Sequence, residues 1–303
     1  MKKVIFIGAL RYSGSTMLEL ILSNDPVGFS VGEMSALIKR KGRVACSCNE
    51  EPCPIWPKVQ ERGLDTAYQT IFADFPDTTF IVDSSKSPIW IKRMAGIAEK
   101  MGFEVSHLLI WKDPGDSATS YNKRGYLDQW KEEWIHYHRL YLSVVKDFKA
   151  LNYREFVSNP GCLKDVCKYL DINFFENKHE YWNKQHHSIG GNGSTKIHLY
   201  DKDSKTFDQI NEHMKKKSSD HELSQRHRSV FVPDVPEDVK AFVDEQTRGD
   251  QLIANITSVL KQQSVLESTD QSQADLKSIK PYGSAYIWSR SMMSLLKQKY
   301  LER

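Results

Sequence analysis

Residues 4 to 16, VIFIGALRYSGST, constrain the chain more than any other stretch. Val4, Ile5, Phe6 and Ile7 form a short continuous apolar run rich in β-branched side chains, the pattern of a strand buried on both faces. After the small polar turn Ser13-Gly14-Ser15-Thr16 come Leu18, Ile21 and Leu22 at the spacing of one helical face, and Asn24-Asp25-Pro26 stops the helix. A strand, a small-residue loop and a helix N-terminus make an anion site, because free backbone N–H groups and the positive end of the helix dipole converge there. The ligand expected is a phosphate group.

A missing residue narrows the chemistry. A Walker A loop reads G-x-x-x-x-G-K-[ST], with the lysine on the terminal phosphates and the hydroxyl on magnesium. Ser15 stands where that lysine would be and Ala9 where the first glycine would be, which disfavours ordinary ATP or GTP use.

With 303 residues, 40% hydrophobic and 27% charged, the chain has the makeup of a soluble globular protein with a substantial core. We divide it into a domain over 1–262 and a linker with an amphipathic C-terminal segment over 263–303. A net charge of +3 gives no reason to expect nucleic acid, yet leaves room for a local pocket for a polyanion. No window of about 18 apolar residues predicts a membrane span. The first apolar run is too short for a signal peptide and feeds the loop, so the cytosol is the expected compartment. Cys46, Cys48 and Cys53 cluster as C-S-C-N-E-E-P-C; with no fourth ligand at a standard spacing they read as reduced structural thiols. Cys162 and Cys167 fall on an apolar helical face and read as core.

Further along, Gly28 to Gly32 reads as turn-rich, and Glu33 opens the periodic stretch Met34, Leu37, Ile38; Lys39 to Pro57 reads as a loop. A second strand, Phe80-Ile81-Val82, runs into the polar turn Asp83 to Pro88 and then a helix carrying Ile91, Met94 and Ile97. Ligands of parallel α/β sheets collect at the carboxyl ends of strands, so Lys86 is expected to share a crevice with the first loop. A third strand, Val105 to Trp111, leads to Lys112, then to a turn where Asp116 or Ser117 can cap a helix with Ser120 and Arg124 on one face: three anion donors in one place. Leu127 to Lys149 reads as an aromatic-rich helix and Leu151 to Val157 as a fourth strand, followed by a helix through Leu163, Val166 and Leu170. The alternation predicts a doubly wound parallel sheet of P-loop type flanked by helices, with a helical C-terminal extension. His186 to Lys196 is a glycine-rich loop with a basic end; its adjacent histidines have no cysteine or carboxylate partner nearby in sequence and are not read as metal ligands. Tyr200 to Arg228 reads as a mobile segment or lid, Lys261 onward as linker, and Ala285 to Leu301 as a basic amphipathic end able to bind a second subunit or a membrane surface, or to dock on its own domain.

Taken in order, these motifs resemble those of sulfotransferases that use 3′-phosphoadenosine 5′-phosphosulfate (PAPS), in the bacterial and tyrosylprotein-like group, over roughly residues 3 to 200. The resemblance implies that Ser13, Gly14, Ser15 and Thr16, with Arg11 beside them, hold the 5′-phosphosulfate. It implies that Glu33 of Gly32-Glu33 is the general base, and that Lys86 stabilises the leaving group. Lys112, Ser120 and Arg124 match the 3′-phosphate motif, Tyr153 of YREFVSNP matches a family tyrosine, and the His186-to-Asn192 loop with Lys196 matches a late cofactor-binding loop. The implied product is the desulfonated nucleotide PAP, no metal is required, and the acceptor is an unidentified hydroxyl or amine on a carbohydrate, lipid, peptide or metabolite. Two positions depart from the pattern. Tyr12 directly precedes Ser13-Gly14, displacing Arg11 by one residue, and Lys112 replaces an arginine, keeping the charge without the bidentate fork. Competing readings are a P-loop kinase for a small substrate, a nucleotide binder without catalysis, and a structural α/β module whose charged turns are only caps.

Overall fold

The computed structural model describes residues 1–39, 45–200, 202–203, 207–212, 234–266, 279, 281–283, 285–287 and 289. Five strands are formed among them: β1 (Lys3–Gly8), β2 (Gly28–Gly32), β3 (Phe80–Lys86), β4 (Glu104–Trp111) and β5 (Lys149–Asn152). They make one sheet in the order β2-β3-β1-β4-β5, and every adjacent pair is parallel. The first run thus becomes the central strand, which explains why it is apolar without alternation. Val4 and Phe6 face a cluster that includes Trp90 and Met94 of α5 (Pro88–Lys100) and Trp134 and Tyr141 of α7 (Trp130–Val144). Ile5 and Ile7 face the other way, onto Leu18 and Leu22 of α1 (Ser15–Ser23) and Val166 and Leu170 of α9 (Cys162–Leu170). Helices cover both faces, the doubly wound arrangement expected.

Several boundaries differ from the sequence reading. Gly28–Gly32 is an edge strand rather than a turn: its glycines allow close approach, since a Cβ on Gly28 would come within 2.6 Å of the Phe80 ring and one on Gly32 within 2.1 Å of the Ile189 carbonyl oxygen. Strand β3 runs on through Ser84 and Ser85, so Lys86 is its last residue and not part of a turn. The helix expected over 127–149 is a 3₁₀ turn (Leu127–Gln129) and then α7, which ends at Val144. Residues 153–157 are not strand. Asn152 ends β5 and its side chain accepts hydrogen bonds from the N–H groups of Arg154 and Glu155, starting α8 (Tyr153–Ser158). In the same way Pro114, with its fixed φ, starts α6 (Pro114–Asn122) after Asp113, ahead of the expected caps Asp116 and Ser117.

The remaining described elements include α2 (Ala36–Lys39), α3 (Trp56–Arg62), α4 (Ala67–Asp74) and two later helices, Glu237–Thr247 and Gln251–Gln262. Ser264 pairs with Ala150 beside β5. Tyr282 also packs on this body, its N–H donating to Ser143 Oγ at 2.9 Å and its hydroxyl 2.7 Å from His136 Nδ1. Most of the segment read as a lid and most of the amphipathic end lie outside the described residues. Among the described residues no helix is long and apolar enough to cross a membrane.

Candidate active site

The carboxyl ends of β1, β3 and β4 are neighbours, with Gly8 in register with Lys86 on one side and Leu109 on the other. From β1 the chain turns through Tyr12, at φ 71°, into Gly14, at φ 88°, and enters α1. No side chain caps α1, so the amides of Gly14, Ser15 and Thr16 leave the helix end without an intrahelical acceptor. Gly14 is required: besides its left-handed φ, a Cβ there would meet the Tyr153 ring at 2.4 Å. Thr16 Oγ1 accepts the Asn192 N–H at 3.0 Å, tying the late glycine-rich loop to the first one. The Asn192 side chain itself accepts from Ser194 N–H at 3.1 Å and caps the short helix Gly193–Lys196.

On the β3 side, Lys86 Nζ forms an ion pair with Glu33 Oε1. Both ends are built to hold it. The Glu33 N–H donates to the Ile189 carbonyl at 2.7 Å, and the Lys86 carbonyl accepts the Tyr137 hydroxyl at 2.7 Å. Just before Lys86, the buried carboxylate of Asp83 accepts from Tyr68 Oη at 2.7 Å, Trp90 Nε1 at 3.1 Å and Ser85 N–H at 2.8 Å, fixing the strand end. About a quarter of each partner's side chain is exposed, 21% for Lys86 and 27% for Glu33, so the pair is open to an incoming group.

On the β4 side, Lys112 Nζ donates to Ser120 Oγ at 3.0 Å and lies 4.3 Å from the centroid of the Tyr153 ring, the same ring that covers Gly14. Burial pushes the Lys112 ammonium down to about 8; Asp116 opposes this, while Arg124, Lys123 and Arg154 add to it. Asp116 is engaged by Arg154, whose Nε donates to it at 3.0 Å. Arg124 lies just beyond α6, with Nη1 donating to the Ser120 carbonyl at 2.6 Å and its guanidinium 4.0 Å above the Tyr12 ring. Lys112, Ser120, Arg124, Tyr153 and the loop at Gly14 therefore form one continuous patch. Through Thr16, Asn192 and Gly190, which packs against Glu33, the loop also meets the Glu33–Lys86 pair.

Two of the expected residues face elsewhere. Arg11 is paired with Glu133, and its Nε donates to Tyr121 Oη at 3.2 Å, so its guanidinium is held between α6 and α7. Lys196 is buried, with Nζ donating to the Ser188 carbonyl at 2.9 Å; burial lowers it to about 8, opposed most by Glu19. Glu19 itself gave no signal in the sequence beyond a polar position on an apolar helix. It is fully buried, accepts from the Ser30 and Ser84 hydroxyls, and is raised from the ordinary carboxyl range first by that burial. It thus joins α1, β2 and β3 beneath the site. His186 is a core residue, pushed down to about 3 by burial, with Nε2 2.8 Å from the Tyr181 carbonyl oxygen. His187 differs from its sequence reading: the loop from Cys46 folds back on it, bringing Cys53 Sγ to 3.6 Å and Cys46 Sγ to 3.9 Å from Nδ1.

Among solved structures, the chain is similar to a sulfotransferase domain from the curacin biosynthetic pathway, with TM-score 0.48 and 13% identity over 81% of this chain and 97% of that one. It is also similar to a sulfotransferase domain from the Synechococcus PCC 7002 olefin synthase, with TM-score 0.43 and 13% identity over 82% and 94% of the two chains. No family model matches the sequence, and no curated protein matches it.

Proposed function

We propose that this site transfers the sulfuryl group of PAPS to a hydroxyl or amine acceptor. The observation that carries the reading is the Tyr153 ring, which touches both the uncapped loop at Gly14 and the Lys112 ammonium. Two anion-binding features thereby flank one aromatic side chain, as a nucleotide with phosphates at both ends of its ribose requires. The residues fit that ligand: the amides of Gly14, Ser15 and Thr16 would hold its 5′ end, and Lys112, Ser120 and Arg124 its 3′-phosphate. When bound, PAPS supplies the transferable sulfuryl group.

The chain's own groups then have separable tasks. Glu33 takes the acceptor's proton at a carboxylate oxygen, and Lys86 supplies positive charge at the end of β3 where negative charge grows on the leaving side. In the resting pair the two side chains hold each other in place at the strand ends until an acceptor and a donor separate them. Transfers of this loose, in-line type depend mainly on positioning and electrostatics, which suits a site braced by Asp83, Tyr137 and the Ile189 backbone.

Calorimetric titration with PAP, alongside Mg-ATP, tests the reading. PAP binding that is lost in Lys112→Ala and weak binding of Mg-ATP are expected; tight Mg-ATP binding with none of PAP would replace the reading with a kinase.

A further inference from the structure

Beside the anion site, three cysteines close together in the sequence and one distant histidine turn their metal-binding atoms toward one point. The Sγ atoms of Cys46, Cys48 and Cys53 and a ring nitrogen of His187 all lie within 4.8 Å of one another. In a tetrahedral site with Zn–S near 2.3 Å and Zn–N near 2.0 Å, neighbouring donor atoms stand about 3.5 to 3.8 Å apart. The 3.6 Å separation of His187 Nδ1 from Cys53 Sγ falls within that spacing, and the 3.9 Å separation from Cys46 Sγ lies just beyond it. We propose that Cys46, Cys48, Cys53 and His187 bind a structural zinc ion.

The imidazole is held for this task. Its ring stacks on Phe29 with centroids 5.6 Å apart and planes 4° apart, and the His187 carbonyl accepts Trp56 Nε1 at 2.9 Å, which keeps Nδ1 aimed at the thiols. Core thiols ordinarily pack as small apolar groups against apolar neighbours, whereas these three face one another and an imidazole. Three thiolates and one imidazole complete a four-coordinate shell and leave no position for a substrate, which makes the role structural and favours zinc over harder cations. On coordination, each thiol gives its proton to solvent as its Zn–S bond forms, and His187 binds as the neutral ring.

The ion would pin the Cys46–Trp56 segment to residues 186–189. That junction already carries Ser47 N–H donating to the Ser188 carbonyl at 3.1 Å, Ser47 Oγ donating to the His186 carbonyl at 3.0 Å, and a bridge between Cys46 and Ile189. The Ile189 carbonyl in turn accepts the Glu33 N–H, so the metal would stabilise the backbone on which Glu33 sits. The assignment does not depend on the sulfuryl-transfer reading.

Metal content of the full chain, purified without added metal and dialysed against metal-free buffer, tests it together with a count of thiols reactive toward Ellman's reagent. One zinc per chain is expected, with Cys46, Cys48 and Cys53 protected until a chelator or mercurial releases the ion. Refolding the stripped chain with cobalt(II) should give thiolate-to-cobalt charge-transfer absorption. Cys53→Ser and His187→Ala should lose the ion, while His187→Cys and the control Cys162→Ser keep it. Absence of metal with all three thiols reactive, a disulfide between any two of them, an iron–sulfur chromophore, or zinc retained in Cys53→Ser and His187→Ala would each overturn the proposal. The wild-type metal and thiol counts decide it even if a variant fails to fold.

Discussion

Lys86 and Glu33 meet as an ion pair at the ends of β3 and β2, with Lys86 held at φ 65°, a left-handed backbone seldom taken by a side-chain-bearing residue. A strained residue at a strand end, braced by the Tyr137 hydroxyl on its own carbonyl, directs its ammonium onto one carboxylate. Glu33→Gln should therefore lower sulfuryl transfer by about 10²- to 10⁴-fold, the usual worth of a positioned base, and Lys86→Ala by about 10²- to 10³-fold. PAP affinity should change little in either, because neither residue is among those we propose to hold the phosphates. Undiminished turnover in Glu33→Gln would remove it from the base role.

Lys112 makes binding depend on pH. Burial holds its ammonium near 8, so it is charged below that value and neutral above it. An arriving phosphate favours the charged form, so PAP affinity should fall as pH climbs through about 8, with proton uptake on binding in that range. Lys112→Arg keeps the charge at all these pH values and should flatten the profile. Calorimetry in two buffers of different ionisation enthalpy reads the proton uptake directly; a flat wild-type profile would contradict the assignment.

Gly14→Ala should cost stability, on the order of 1–3 kcal/mol, through the left-handed φ and the collision with the Tyr153 ring. Adding Tyr153→Ala should recover the collision part but not the backbone part, so chemical denaturation of the single and double variants should show non-additive losses. Strict additivity would mean that the ring yields freely.

Glu19 should give stability a dependence on pH. Its folded value is raised, so the unfolded chain releases this proton first as pH rises past the ordinary carboxyl range. Stability contributed by Glu19 is thus greatest at low pH and is lost as pH rises toward its folded value. Glu19→Gln should remove that slope while keeping an acceptor oxygen for one serine and offering the other an N–H donor, and Glu19→Ala should destabilise by about 1–3 kcal/mol. Superimposable pH–stability curves for wild type and Glu19→Gln would refute this.

The βα units were legible because local pattern and tertiary role agree in them: Val4 to Ile7 reads as a buried strand and is the central one. Misreadings arose where short-range and long-range effects part. Phe156 and Val157 look like strand, but the Asn152 cap two residues upstream of Arg154 commits the segment to helix. The glycines of 28–32 look like a turn until Phe80 and the Ile189 backbone are placed against them. Arg11 is one residue out of phase, and only the fold reveals Glu133 as its partner. The cysteines and His187, 134 positions apart at Cys53, leave no spacing that a linear reading could recognise.

Arg124 rests on the Tyr12 ring, and Tyr12 is the chain neighbour of Ser13 in the loop that we propose holds the 5′ end of the nucleotide. One residue therefore carries Arg124 on its ring and the start of that loop on its backbone. Under the proposed reading, occupancy of one half by pyrophosphate would reach Tyr12 through its backbone and occupancy of the other by adenosine 3′-phosphate through its ring, which makes Tyr12 a natural reporter of how the two halves communicate.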